Sequence, residues 1–399
     1  LEAAVALADM WGVKVSVVEM MDQILPGVLS QPLSLMAAND CLTHKVDVFT
    51  SEKVLRLEGE NGTVTKVVTD KREIPAQLVI FAAGFIPNGQ LAKDAGLEVA
   101  PFGAVVVDEH MRTTDPSIYA GGDCVAIKNI ITGKIGYLPL GSMANRQGRI
   151  IGTNLAGGNA RFPGFVGSWA VKLFGLSFCG VGLTVERARK EGFDAMSVSV
   201  EQLDHAHFYP EKSMVSLELV VDKATSRVLG IQGACADPDS LKARIDAVAA
   251  ALQYSKPTVE DISNLEIAYA PPFASAMDVV NVVANVADNA LSGRFTPVTA
   301  DQFMDLWKKR SENHVFFIDS RPAAAGKATQ EKHPDWHAMP LEEIAARISE
   351  VPKDRPVAII CNTGLRAYDS LLVLARNGVT NVVNSTGGMQ AVIKMGLSL

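Results

Sequence analysis

Apolar and polar positions along the first hundred residues follow the pattern of strands joined by helices and turns. After a small-residue helical segment, the run 13–18 predicts a strand that ends in Glu19. The runs 54–57 and 64–68 flank a Glu-Asn-Gly turn, which predicts an antiparallel hairpin. The continuous apolar run 78–81 predicts a buried strand. This alternation indicates an α/β fold for the first part of the chain.

Longer apolar runs follow after about residue 160. Those at 214–221 and 228–232, separated by turn residues, predict a strand pair, and helices are expected over 241–252 and 277–291. The second helix is rich in Val and Ala, and such an apolar surface favours pairing of two copies of the chain. We therefore expect a homodimer held by this region.

The segment 292–297 contains Ser, Gly and Pro and indicates a linker. Beyond it the pattern predicts a smaller α/β unit, with strands at 315–319 and 357–360 and helices at 341–351 and after residue 366.

Charge and composition narrow the classes of function. The 399 residues have room for two to four domains, and 37 Lys and Arg against 44 Asp and Glu leave a net charge of -7. Without a long basic stretch, a nucleic-acid partner is not expected. Apolar runs are too short for a membrane span, and the beginning of the chain does not have the layout of a signal peptide. We expect a cytoplasmic protein that does not associate with membranes.

Three motifs in order indicate cofactor chemistry in the first half: the segments 83–88, 113–123 and 139–149. Their small residues let the backbone approach a flat cofactor closely, and the carboxylate of Asp123 can accept hydrogen bonds from sugar hydroxyls. An acidic residue at the end of a strand, as Glu19 is, is typical of a ribose contact in a dinucleotide-binding βαβ unit. An ordinary surface glutamate is the alternative for Glu19.

These motifs resemble the pyridine nucleotide-disulfide oxidoreductase family. The resemblance implies that Asp123 and Gly84 contribute to FAD binding. It also implies that the helix beginning near Met143 and Ala144 directs its positive end at the flavin. Glu19 would bind the adenine ribose and favour NADH over NADPH.

The same resemblance divides the chain into domains. It implies Rossmann-like portions of an NAD domain (1–86, truncated at its N-terminus) and of an FAD domain (87–159), followed by an α+β dimerisation domain (160–293). In that family two tyrosines of the dimerisation domain reach the partner's active site, and the matching positions are Tyr209 and Tyr269. His205 and His207 lack a third ligand nearby in the sequence, so no metal site is predicted.

The five cysteines are widely spaced and form no CxxC pair, so thiol chemistry must rest on single residues. Cys361 begins a six-residue loop, Cys-Asn-Thr-Gly-Leu-Arg, between a predicted strand and a helix. Backbone N–H groups at the positive end of a helix can stabilise a thiolate or persulfide there. Gly364 permits the tight curl, and Arg366 adds a positive charge that attracts an anionic sulfur donor.

This loop resembles that of rhodaneses, as do Asp319-Ser320-Arg321 and Gly387-Gly388. The resemblance implies a C-terminal rhodanese-like α/β domain over 297–399, with a loop length associated with sulfur transfer rather than phosphatase activity. A buried cysteine in an inactive rhodanese fold is the alternative.

The order of these domains resembles fusions of a CoA-disulfide reductase or NADH-dependent persulfide reductase with a rhodanese. The implied cofactors are FAD, NADH and coenzyme A, and the implied substrates are CoA disulfide, persulfide or polysulfide. The first FAD motif, the redox cysteine and the Gly-rich NAD turn would precede Leu1, and we expect the chain to begin inside a domain. The alternatives are an NADH oxidase or peroxidase, and a sulfur carrier or sensor without redox activity.

Overall fold

The protein is described by a computed structural model that covers residues 1–399 and contains five β-sheets. Two of these sheets have five strands each, and they organise most of the apolar core. None of the helices is both long and apolar enough to cross a membrane.

The first region combines a two-stranded parallel sheet with a three-stranded antiparallel one. Its elements are α1 (Glu2–Val5), which continues as a π-helical turn (Ala6–Met10), β1 (Ser16–Val18), α2 (Gln31–Thr43), β2 (Asp47–Phe49), β3 (Val54–Glu60), β4 (Thr63–Thr69) and β5 (Glu73–Pro75). Strands β1 and β2 pair in parallel, whereas β3, β4 and β5 form a meander. The predicted hairpin is confirmed, with Asn61 and Gly62 at positive φ in its turn.

The buried strand predicted over 78–81 is wrong. These residues form no strand, and Leu78 and Phe81 are 70% and 73% exposed. A continuous apolar run is typical of a parallel strand, but such a strand needs hydrogen-bonding neighbours and covered faces. Neither β1 nor β2 extends its sheet to this segment.

The second region carries a small three-stranded sheet and one long helix. Its elements are α3 (Gln90–Asp94), β6 (Val105–Val106), β7 (Val125–Lys128), β8 (Ile135–Gly136) and α4 (Gly141–Leu155). Strand β7 lies between β6, which is parallel to it, and β8, which is antiparallel. Met111, Val125, Ile127 and Phe165 form the centre of its core.

The central region is an antiparallel sheet in the order β11-β12-β13-β10-β9. Its elements are β9 (Trp169–Lys172), β10 (Ser177–Gly182), α5 (Val185–Lys190), β11 (Ala195–Leu203), β12 (Met214–Asp222), β13 (Val228–Cys235), α6 (Pro238–Tyr254), α7 (Val259–Ser263) and α8 (Val279–Leu291). The predicted pairing of 214–221 with 228–232 is confirmed in β12 and β13. Asp237 caps α6 and Asp278 caps α8, each accepting backbone N–H groups of the first turn.

Helix α8 buries its apolar face within its own subunit. Val279, Val280, Val283 and Ala287 are almost fully buried in the core of the central sheet. The Val/Ala content of this helix is therefore explained by packing in the monomer, and it is not evidence for a dimer. The composition of α8 does not decide the question, because an amphipathic helix that covers a sheet has the same composition as an interface helix, and the homodimer stays a prediction.

The last region is a parallel sheet in the order β14-β18-β17-β15-β16. Its elements are β14 (Thr296–Val298), α9 (Ala300–Lys308), α10 (Arg310–Asn313), β15 (Phe316–Asp319), α11 (Ala323–Gln330), β16 (Trp336–Ala338), α12 (Leu341–Ile344), a 3₁₀ turn (Ile348–Glu350), β17 (Val357–Ile360), α13 (Leu365–Arg376), β18 (Val382–Ser385) and α14 (Gly388–Lys394). Strand β17 lies at the centre, as expected for a run buried on both faces. In place of the single helix predicted over 341–351, α12 ends at Ile344 and a 3₁₀ turn ends at Glu350, where Pro352 disfavours helical geometry at Val351.

The last region packs on the first and the central regions. One cluster of 21 buried apolar residues includes Leu33 of α2, Phe178 of β10, and Phe303 and Ala391 of the last region. Asp40 of α2 accepts backbone N–H groups from the turn 174–176, which ties α2 to the central sheet. The first, central and last regions therefore share a continuous core, whereas the second region has its own.

Candidate functional site

Cys361 lies directly after the central strand β17 and before helix α13. Its Sγ accepts the N–H group of Gly364 at 3.1 Å, and Gly364 has a φ of 103° that favours glycine. Gly364 is also the N-cap of α13, a helix of 12 residues, so the sulfur lies at the positive end of the helix dipole. This arrangement stabilises negative charge on the sulfur.

The outer side of the loop is open to solvent. Asn362, Leu365 and Arg366 are exposed, and Leu365 retains 69% of its accessible surface. The guanidinium of Arg366 takes part in no ion pair of the chain and remains available to an anion. Cys361 itself is only 2% exposed, so a donor must reach the sulfur through this rim.

Asp319 and Arg321 brace the neighbouring strand rather than the sulfur itself. Arg321 binds both carboxylate oxygens of Asp319, at 2.9 and 3.0 Å from Nε, and Trp336 Nε1 donates to Oδ2 at 2.8 Å. Between them, Ser320 donates its N–H and its hydroxyl to the carbonyl of Ile360, the residue before Cys361. The Asp-Ser-Arg motif therefore fixes the end of β17 from which the loop departs.

The remaining cysteines lie in different surroundings. Burial raises the pKa of each of the thiols of Cys41, Cys179 and Cys235 to about 11. Cys124 is half-buried, and its thiol contacts the carbonyl of Gly121 at 3.4 Å. Cys235 also receives a backbone N–H, from Asp237, but burial outweighs this contact and its pKa still rises to about 11.

The carboxylate of Asp123 is exposed at the end of the Gly121-Gly122 turn. The turn is fixed from two sides: Gln147 Oε1 accepts the N–H of Gly122 at 2.6 Å, and Tyr137 donates its hydroxyl to the carbonyl of Asp123 at 2.7 Å. The side chain of Asp123 forms no hydrogen bond within the chain and can accept bonds from a ligand.

Helix α4 begins beside this turn. Ala144 lies so close that a methyl group on Gly122 would be 3.7 Å from its Cβ. The N–H groups of Met143 and Ala144 both donate to the carbonyl of Leu140, and the side chain of Met143 is buried in the core. The N–H groups that remain free at this helix end belong to Gly141 and Ser142, two residues earlier than the sequence suggested.

Gly84 lies near the same turn, because the next residue, Phe85, is a neighbour of Tyr137. The Phe85 ring lies edge-on to that of Tyr137 at 6.0 Å, and Tyr137 holds the Asp123 turn. Gly84 has a φ of 92° and open space around it. An open glycine backbone, a free carboxylate and free helix N–H groups fit one end of a flavin nucleotide.

Glu19 follows β1, at the carboxyl end of the two-stranded parallel sheet. Its N–H donates to the carbonyl of Phe49, and one carboxylate oxygen accepts the N–H of Met21 at 2.8 Å. Its second oxygen is free for a hydroxyl group. Ligands of α/β folds bind at this end of parallel strands.

Tyr209 and Tyr269 lie on two loops that are hydrogen-bonded to each other. Ser275 donates its hydroxyl to the carbonyl of His205 at 3.2 Å, and Ala206 donates its N–H to Pro271. Tyr269 is 51% exposed, whereas Tyr209 stacks on the His205 ring at 5.6 Å. His205 therefore packs against Tyr209.

Sequence reasoning missed the residues that support these groups. Gln147, which fixes the Asp123 turn, lies within the motif 139–149, and Tyr137, which holds the other side of the turn, lies two residues before that motif. Asp204, which contacts His205 at 2.8 Å, is buried, and the sequence gives no sign of that burial.

Comparison with known proteins now identifies the family. Profiles of the pyridine nucleotide-disulphide oxidoreductase family match residues 1–148, those of its dimerisation domain match 169–280, and the rhodanese-like domain matches 302–395. The structure of a NAD-dependent persulfide reductase from A. fulgidus aligns with a TM-score of 0.90 and 34% identity, over 98% of this chain and 70% of that one. This chain belongs to the pyridine nucleotide-disulphide oxidoreductase family.

Two further members of this oxidoreductase family are similar to it. A FAD-dependent pyridine nucleotide-disulphide oxidoreductase from Desulfovibrio vulgaris is 59% identical, with a TM-score of 0.66 over 73% of this chain and 68% of that one. A CoA-dependent NAD(P)H sulfur oxidoreductase from Pyrococcus abyssi is 38% identical over 245 residues, which are 61% of this chain and 54% of that protein. The chain thus spans little more than half the length of this curated relative.

Proposed function

We propose that the chain acts in the NADH- and FAD-dependent reduction of CoA disulfide, persulfide or polysulfide, and that its C-terminal domain transfers sulfane sulfur through Cys361. The observation that carries this proposal is the position of the Cys361 sulfur at the N-terminus of α13, within a chain similar over 98% of its length to a persulfide reductase. The CoA dependence named for the Pyrococcus abyssi relative supports CoA as the thiol acceptor.

The sulfur step follows from the loop. Arg366 attracts an anionic donor such as thiosulfate, and the Cys361 thiolate attacks its outer sulfur. The donor's S–S bond breaks, sulfite leaves with the electron pair, and a new S–S bond forms on Cys361. The Gly364 N–H and the end of α13 then stabilise the persulfide anion.

The remaining groups would hold the cofactors. Asp123 would bind the ribityl hydroxyls of FAD, and Gly84, Gly141 and Ser142 would present backbone to its ring system. When bound, FAD accepts a hydride from NADH and passes on electrons in pairs. Glu19 would bind the adenine ribose of NADH and repel the extra phosphate of NADPH.

We also propose the domain division 1–86, 87–159, 160–293 and 297–399, and a homodimer through the third domain. Exposed apolar residues of that domain favour such an interface: Phe208, Tyr254, Tyr269, Phe273 and Met277. Tyr209 and Tyr269 would then reach the active site of the other subunit.

The test of the sulfur step uses this chain. After incubation with thiosulfate, intact mass should show one added sulfur atom that a thiol reductant removes. Cys361→Ser should abolish the addition, whereas Cys124→Ser, the control at a half-buried cysteine outside the loop, should retain it. Sulfur on Cys124, or none on the wild type, would contradict the proposal. Sulfur uptake also separates it from an NADH oxidase, whose reaction needs no sulfane acceptor.

A further inference from the structure

Lys394 forms an ion pair with the buried Glu201 across the boundary between the rhodanese domain and the central sheet, and its own side chain is 16% exposed. Its ammonium group lies 2.8 Å from Glu201 Oε2, 2.8 Å from Ser216 Oγ and 2.9 Å from the carbonyl of Met214. These three contacts use all three of its N–H donors. Glu201 is 5% exposed overall and accepts a second bond from the Ser216 hydroxyl. A fully satisfied pair of this kind specifies one arrangement of the two surfaces.

The pair lies next to the support of the sulfur loop. A methyl group on Gly387 would be 3.5 Å from Cγ of Glu201, and one on Gly388 would be 2.5 Å from the carbonyl oxygen of Cys361. Two glycines thus fill the space between Glu201 and the backbone of Cys361.

Helix α14 completes the connection. It begins at Gly388 and ends at Lys394. The N–H of Met389 donates to the carbonyl of Cys361 at 2.9 Å, and that of Gln390 to Asn362 at 3.0 Å. The first turn of α14 therefore holds the sulfur loop, and its last residue is held by the central sheet.

We propose that Glu201 and Lys394 are positioning residues for sulfur transfer, which act across the domain boundary by holding α14 and the Gly387-Gly388 turn against the backbone of Cys361. The inference rests on the proposed transfer at Cys361. Neither side chain touches the donor. Their loss should misplace the sulfur relative to Gly364 and slow the attack on the donor's S–S bond, while donor binding at Arg366 persists.

The variants are Lys394→Met, which keeps the length of the side chain, and Glu201→Gln. Burial already raises the pKa of Glu201, so the glutamate can become neutral when Lys394 is removed, which limits the loss of folding. Lys394→Arg preserves the charge and should restore part of the rate. The matched controls are Lys332→Met, at an exposed lysine of the same domain, and Glu52→Gln, at a buried carboxylate of the first region.

The measurements are the rate of sulfur loading from thiosulfate and the rate of Cys361 alkylation by iodoacetamide. Both variants should lower the saturating loading rate by about ten- to a hundredfold with KM nearly unchanged, as expected for a reacting group displaced by up to about 1 Å. The controls should load like the wild type. Equal effects in Glu52→Gln would indicate general loosening and overturn the inference, as would unchanged rates in Lys394→Met.

Failure of the proposed function is a distinct result. If wild-type Cys361 takes up no sulfur, the transfer reaction is wrong. Alkylation of Cys361 then still decides the positioning role, which requires slower alkylation in Lys394→Met and Glu201→Gln than in both controls.

Discussion

The N–H group of Gly364 points at the sulfur of Cys361 from 3.1 Å, where α13 begins. This contact lets a buried cysteine carry negative charge without a neighbouring base. The contact also distinguishes Cys361 chemically from Cys41. Cys41 is equally buried, but it lies within a helix and next to Asp40.

We expect Cys361 to alkylate faster than Cys41, Cys179 and Cys235 at neutral pH. Burial raises the pKa of those three thiols to about 11, so only about one molecule in ten thousand is ionised at each site at pH 7. Peptide mapping after timed iodoacetamide treatment gives the order. Equal alkylation rates at all four cysteines would show that the loop does not make Cys361 more reactive.

Asp319→Ala should destabilise the rhodanese domain by about 3–5 kcal/mol, because it leaves the buried Arg321 guanidinium without its partner. It also removes the acceptor of Trp336 Nε1. Denaturant unfolding followed by tryptophan fluorescence measures the loss. Asp335→Ala, at an exposed carboxylate that pairs with Arg310, is the control and should change stability by less than about 1 kcal/mol. A similar loss in both variants would contradict the bracing role.

Stability should depend on Glu218, a carboxyl group buried between the central sheet and α2. Burial is the main cause that raises its pKa from 4.5 to about 7; Glu186 and Asp301 add to the rise, and hydrogen bonds from Ser30 and Ser197 oppose it. The raised pKa means that the folded state holds the proton more tightly than the unfolded chain. The stabilisation is therefore complete below pH 4.5 and is lost as the pH rises through about 7.

Glu218→Gln should remove this part of the pH dependence, which amounts to roughly 3 kcal/mol at about 1.4 kcal/mol per pKa unit. The free energy of unfolding measured between pH 5 and pH 8 tests it. Glu331→Gln, at an exposed position, should leave the wild-type slope unchanged. An identical slope in Glu218→Gln would exclude Glu218 as the cause.

Asp123→Ala should lose flavin in the flavin-loaded protein. The change removes charge-assisted hydrogen bonds to the ribityl hydroxyls, each worth roughly 1.5–3 kcal/mol. Visible absorbance of the purified protein reports the flavin content. Tyr137→Phe should lower flavin affinity less, since it loosens the Asp123 turn and leaves the carboxylate in place. Full flavin content in Asp123→Ala would show that the motif has another role.

Local patterns predicted the elements whose partners are close in sequence. The pair β12 and β13 and the strand β17 with its cysteine loop were all found, because strong apolar runs and turn residues specify them. The run 78–81 failed because its strand character depends on neighbours that the pattern does not contain.

Long-range pairs could not be predicted in the same way. Lys394 and Glu201 are separated by 193 positions, and nothing in either segment indicates its partner. The burial of Glu218 is partly indicated by the sequence, since this glutamate lies within the apolar run 214–221. Its contact with Ser30 is not, because that contact depends on how α2 packs on the sheet.

Transfer of sulfur from Cys361 to coenzyme A is the measurement that tests the central claim most directly. The chain is loaded with one sulfur atom, freed of donor and mixed with CoA. The CoA thiolate should attack the outer sulfur, break the S–S bond and release Cys361 as a thiolate, so that the protein loses one sulfur as CoA persulfide forms. The account predicts this stoichiometric exchange by mass spectrometry, absent in Cys361→Ser. A loaded protein that keeps its sulfur in the presence of CoA would contradict it.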